Sequence, residues 1–139
     1  MKQEDIDLLF KDLSSRLPYG VIVKFAGYSG REDCTLNVQH LSSTYSIVYL
    51  RMKPYLRPIS SMTEEEKEEL KTLFDAEEVT SDSICYLEGG TLVEYLSRIS
   101  YSFCSEIVDW LNAHHFDHHN LIEKGLALEA SSEMYKKGE

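Results

Sequence analysis

The stretch Lys53-Pro54-Tyr55-Leu56-Arg57-Pro58-Ile59-Ser60-Ser61-Met62 divides the chain into two halves with different apolar rhythms. Two prolines four residues apart fix φ twice, remove two backbone donors and push Lys53 and Arg57 toward extended geometry. The spacing predicts a stiff proline strap over residues 53–62, with Tyr55, Leu56 and Ile59 available to pack across the junction. Its polar end offers two overlapping capping boxes, Ser61 with Glu64 and Thr63 with Glu66, so a helix should begin there.

Before the strap, residues 3–17 read as a helix. Ile6, Leu9, Phe10, Leu13 and Leu17 form one apolar stripe, and Glu4, Asp5 and Asp7 occupy the early turns, where a helix end favours acids. Pro18 and Gly20 should end it. Residues 20–52 read as a β meander: Val21–Ala26, Cys34–Leu41 and Tyr45–Met52, joined by polar turns. After the strap, residues 63–130 read as a mainly helical half. It holds a helix from Thr63 to Glu78, a short strand at Ile84–Leu87 and a helical pattern from Thr91 to His114, either one helix or two broken near residues 100–102. A last helical turn or two falls at 120–128, and residues 131–139 read as a loose tail. The expected fold is α+β: a single small domain, a short antiparallel sheet packed against N-terminal and C-terminal helices.

At 139 residues and 42% hydrophobic, the chain can build its core without staples. Its apolar runs are too short to cross a membrane, and Met-Lys-Gln-Glu-Asp lacks the pattern of a signal peptide, so a cytoplasmic protein is expected. Cys34, Cys85 and Cys104 are odd in number and form no Cys-x-x-Cys pair, which fits neither a disulfide framework nor a zinc ribbon. The formal charge of −10 is unevenly placed: residues 20–60 carry +3 and residues 62–82 carry −7. That overall sign weighs against a free nucleic-acid binder, whose affinity comes from neutralising phosphates. The bases Arg51, Lys53 and Arg57 keep a nucleic-acid-binding module as one alternative.

No Gly-x-Ser-x-Gly elbow, phosphate loop or His-Glu-x-x-His motif is present. The main functional reading is therefore a non-enzymatic protein-interaction or regulatory accessory protein with no cofactor. Its partner would meet the acidic face of Glu64, Glu65, Glu68 and Glu69, with Tyr55 among the aromatic residues adding short-range contact. A second reading, from another class, is a metal-dependent hydrolase centred on His114, His115, Asp117, His118 and His119. Four of the five histidines fall in that segment. On a continuing helix His114 and His118, or His115 and His119, would lie one turn apart, and imidazoles with a carboxylate suit a divalent metal.

Three blocks carry a resemblance: Arg16-Leu17-Pro18-Tyr19-Gly20-Val21, Lys53 through Glu65, and His114-His115-Phe116-Asp117 with Leu121 through Ala130. In that order they resemble a widespread family of small uncharacterised proteins of gut Bacteroides-type bacteria, their prophages and phages. The resemblance implies no activity or ligand. It suggests a phage or prophage accessory protein whose partner is a host or phage protein. Members of that family read Tyr-Arg-Gly where this chain has His118-His119-Asn120, so half of the histidine cluster would be particular to this chain.

Overall fold

The computed structural model describes residues 2–27, 31–76 and 101–135. The strand expected at 84–87 and the first part of the helical pattern from Thr91 lie outside the described residues.

Helix α1 (Gln3–Arg16) forms as its periodicity requires. Ile6, Leu9 and Leu13 are buried in the core, each worth roughly 1.5–3 kcal/mol on removal from water. Asp12 and Arg16 lie on the same buried side, which the apolar stripe alone did not reveal. A 3-10 turn at Leu17–Tyr19 takes up Pro18, and Gly20, at φ 73°, reverses the chain in a left-handed conformation.

The sheet has four strands in the order β2-β1-β3-β4, with β1 Ile22–Phe25, β2 Cys34–Thr35, β3 Met52–Leu56 and β4 Leu128–Glu129. β1 pairs antiparallel with β2 (Val23 opposite Cys34) and with β3 (Lys24 opposite Lys53). β4 joins β3 in parallel, Tyr55 beside Leu128, so the sheet is mixed at one edge. The mainly helical half thus returns a strand to the sheet. One side of the sheet presents Val23, Phe25, Met52, Pro54 and Leu56 to the interior, where α1 covers it.

The meander forms only in part. Cys34–Leu41 contributes two residues of strand and then a 3-10 turn, Val38–Leu41, capped reciprocally by Asn37 and His40. Tyr45–Val48 is a one-turn helix, α2, instead of a strand. The alternation of Tyr45, Ile47 and Tyr49 gave way to an i,i+4 arrangement: the tilted rings of Tyr45 and Tyr49 pack with centroids 5.1 Å apart while Ile47 is buried. The third strand lies inside the strap. Pro54 is tolerated there because β4 pairs with β3 only from Tyr55 onward, leaving no acceptor for the donor that proline lacks. Gly27 lets the turns meet: a Cβ there would sit 3.1 Å from the Tyr49 carbonyl oxygen.

Helix α3 (Glu64–Ala76) starts at the second of the two boxes. Thr63 N–H donates to Glu66 Oε1 (2.9 Å) and Glu66 N–H donates to Thr63 Oγ1 (3.2 Å). Ser61 instead closes a 3-10 turn by donating to the Pro58 carbonyl. Helix α4 (Tyr101–Ala113) packs against α1 and buries Ile107, Leu111 and Asn112.

Within the segment read as a loose tail, described as far as Tyr135, that residue is docked. Its hydroxyl accepts from Ile22 N–H and donates to the Tyr55 carbonyl, both at 2.8 Å, so it bridges β1 and β3 beyond their ladder. Residues 121–125 are turns, with one helical-type bond from Lys124 N–H to the Asn120 carbonyl (3.2 Å), where a helical turn or two was expected over 120–128.

Candidate metal centre

Helix α4 stops before the histidines can share a face. Phe116 N–H donates to the Leu111 carbonyl (2.9 Å) and His115 N–H to the Asn112 carbonyl (3.0 Å), with His115 at φ 64°. This is a Schellman ending with a histidine in the left-handed position that glycine usually takes. Phe116 and Leu111, at the two positions that usually share the hydrophobic contact of such an ending, are both buried. The chain then locks onto the strap: Arg57 N–H donates to the His115 carbonyl and Asp117 N–H to the Arg57 carbonyl, each at 2.8 Å.

That geometry splits the predicted site. His114 stacks on Trp110 (4.1 Å) and His115 on Tyr135 (3.7 Å). Asp117 accepts from the amides of Leu121 (2.9 Å) and Ile122 (3.0 Å), so its carboxylate is a cap for the following turn. Among the described residues these three join no ligand cluster. His118 and His119 do, with a carboxylate absent from the sequence reading: Asp12 of α1. One ligand atom from each of Asp12, His118 and His119 lies within 4.8 Å of the others. The available signal was Asp12 and Arg16, one turn apart on the face carrying Leu9 and Leu13.

A polar network holds the cluster. Arg16 forks onto Asp12, Nε to Oδ1 at 2.5 Å and Nη2 to Oδ2 at 3.2 Å, and Nη2 also donates to the Phe116 carbonyl (2.7 Å). Both side chains are fully buried. His119 Nδ1 donates to Asp12 Oδ2 at 2.7 Å. Asn112 Nδ2 donates to Ser15 Oγ (3.2 Å), so its Oδ1 accepts from His118 Nε2 at 2.8 Å. These tautomers leave His118 Nδ1 and His119 Nε2 as the lone-pair nitrogens. His118, whose Nε2–H is tied to Asn112 Oδ1, is oriented as metal-binding histidines are, whereas a metal held by Asp12 and His119 together would take the place of the hydrogen bond between them.

Burial raises the Asp12 carboxyl, but the bonds from His119 and Arg16 outweigh it, and its pKa falls to about 2. His118 is pushed down to about 3 by burial, with Arg16 and His119 adding to the effect, so it is neutral and suited to coordination at pH 7. Its side chain is nearly sealed, while His119 keeps 26% of its surface in solvent and marks the open side. Two imidazoles and one carboxylate match the donor set of catalytic zinc and non-haem iron sites, which keep a position open for water or substrate.

The acidic residues singled out in the sequence lie elsewhere. Glu64, Glu65, Glu68 and Glu69 are exposed on α3, and Glu65 and Glu69 border a groove of about 880 Å³ together with His114, His115, Glu129 and Tyr135. Tyr55 is not in that lining; its hydroxyl donates to Asp33 Oδ2 (2.9 Å). Of the strap cations, Arg57 is committed to Glu66 through two contacts of 2.7 Å and lies over the Phe116 ring. Among the described residues no helix is long and apolar enough to cross a membrane.

Comparison with protein-family models, curated proteins and solved structures finds no match to this chain.

Proposed function

We propose that Asp12, His118 and His119 bind a divalent transition metal and that the chain is a small metal-dependent hydrolase. The observation that carries this reading is the convergence of two oriented imidazoles and a buried carboxylate from segments more than 100 residues apart. It takes precedence over the interaction module, whose acids Glu64, Glu65, Glu68 and Glu69 lie exposed on α3 and whose Tyr55 is bound to Asp33 away from them. A metal held there would supply Lewis acidity and an acidified water. Asn112 fixes the orientation of the His118 imidazole, and the half-exposed His119 faces the side from which substrate arrives. A cytoplasmic setting belongs to the same proposal.

Calorimetric titration of protein purified without a histidine tag, using zinc, manganese and cobalt, tests the reading. One equivalent should bind, and Asp12→Asn, His118→Ala and His119→Ala should each lower the affinity at least about tenfold. His114→Ala and His115→Ala should not. Loaded protein should hydrolyse a nitrophenyl ester, and the three ligand variants should not. Absence of stoichiometric binding would refute the proposal.

The groove beside α3 favours partner binding as a second reading. Its acidic rim suits a basic segment of a host or phage protein. Glu65→Gln with Glu69→Gln should slow association with such a partner, and added salt should reproduce the effect.

A further inference from the structure

The groove beside α3 draws its carboxylates from two elements. Glu65 and Glu69 of α3, one helical turn apart, and Glu129 of β4 all line it. Its one guanidinium, Arg57, is held by the fourth carboxylate, Glu66, through two contacts of 2.7 Å. Glu69 lies 3.6 Å from His114 Nε2, while Glu65 and Glu129 enter no ion pair among the described residues. The groove therefore carries an excess of three carboxylates. At about 880 Å³ it falls at the upper end of the sizes that ligand sites take, and a cationic occupant matches it.

The backbone of β4 adds a second, independent constraint. Among the described residues β4 is an edge strand of the sheet. Ala130 N–H donates to the Leu56 carbonyl (2.8 Å), and Leu56 is registered with Glu129, so the chain on either side of Glu129 turns its main-chain groups toward β3. Those of Glu129 point the other way. Its N–H and carbonyl have no partner among the described residues, and the residue is exposed. Glu129 to Ser132 are four consecutive residues of the groove lining, so the open edge adjoins the acidic cavity. An unpaired edge is a template for another extended chain.

We propose that the groove takes an extended basic segment of a partner protein, which adds to the sheet beside β4 by pairing with the main chain of Glu129. This rests on the partner-binding reading of the groove and is independent of the metal. Successive side chains of an added strand point to opposite faces, so arginine or lysine at every second position presents its charges together on one side. The carboxylates of Glu65, Glu69 and Glu129 draw such a segment in, and the main-chain bonds fix its register. A polyamine meets the charges but leaves the N–H and carbonyl of Glu129 unmet. A peptide meets both.

The probe is a blocked, fluorescently labelled peptide of alternating arginine and valine, titrated with the wild-type protein and followed by anisotropy. Two further versions carry N-methyl groups, one on the arginine amides and one on the valine amides. A strand turns alternate amides to opposite edges, and slipping the register by one would move the arginines to the wrong face. One methylated version should therefore bind at least about tenfold more weakly, and the other should stay within about twofold of the parent. Spermidine should compete only weakly. Glu65→Gln with Glu69→Gln should weaken the parent peptide and flatten its salt dependence. Exchange of the Glu129 amide hydrogen should slow in the wild-type complex, a readout that needs no variant. Equal binding by the two methylated versions would overturn strand addition and leave the acidic groove standing. Spermidine binding as tightly as the peptide would overturn the peptide assignment. No peptide binding, or binding indifferent to the glutamate variant, would overturn both readings of the groove.

Discussion

Replacing Arg16 by methionine should be among the most damaging single changes available in the described core. The substitution keeps length and apolar bulk but removes the fork onto Asp12, at 2.5 and 3.2 Å, and the 2.7 Å bond to the Phe116 carbonyl. Asp12 then stays buried with His119 as its one remaining side-chain partner in the network. Breaking a buried ion pair from one side costs roughly 3–5 kcal/mol, because the surviving charge is stranded. A domain of this size has about 5–15 kcal/mol in total, so the variant should sit close to unfolding. Adding Asp12→Leu removes the stranded charge, and the double variant should be more stable than Arg16→Met alone. Urea unfolding of the wild type, both single variants and the double variant at pH 7 gives the coupling directly. A loss below about 1 kcal/mol for Arg16→Met, or strict additivity in the cycle, would refute the account of this pair.

Acid should destabilise the protein in two stages. His118, with its pKa lowered from 6.5 to about 3, resists protonation in the fold, so stability falls as pH drops below 6.5, by at most about 1.4 kcal/mol per pH unit from this one group. Asp12 and Glu66, both lowered to about 2, contribute stability that is present above their unfolded pKa values near 4 and is lost as pH falls toward 2. A flat urea midpoint between pH 7 and pH 4 would contradict the first stage. Tyr135→Phe leaves Ile22 N–H and the Tyr55 carbonyl without their shared hydroxyl and should cost about 1–3 kcal/mol; thermal melts measure it. Glu66→Ala breaks both the Thr63 cap and the Arg57 fork and should reduce hydrogen-exchange protection over residues 64–70, whereas Glu64→Ala should leave it nearly unchanged.

The helices around the strap were legible because their signals are local. The stripe of Ile6, Leu9 and Leu13 and the Thr63–Glu66 box need only neighbours within one turn. The strand boundaries were less legible. Tyr45, Ile47 and Tyr49 satisfy both an alternating strand and a single helical turn, and tertiary packing of Ile47 chose the helix. Pro54 likewise marked a strap, and only the late arrival of β4 makes it acceptable in a central strand. The candidate site was half legible. His118 and His119 stood out by composition, but the Schellman ending at His115 broke the one-turn spacing and turned His114 and His115 onto other partners. Asp12 is more than 100 positions away, and no local pattern connects it to them. A charged pair on the apolar face of α1 was the sign that something buried required it.

Anomalous diffraction at the zinc edge, from crystals of the tag-free protein soaked with zinc, tests the central claim most directly. One peak is expected, within about 2.0–2.2 Å of one nitrogen each from His118 and His119 and of a carboxylate oxygen of Asp12. A protein crystal with no peak at those three side chains, or with its only peak at His114 and Glu69, would contradict the metal centre.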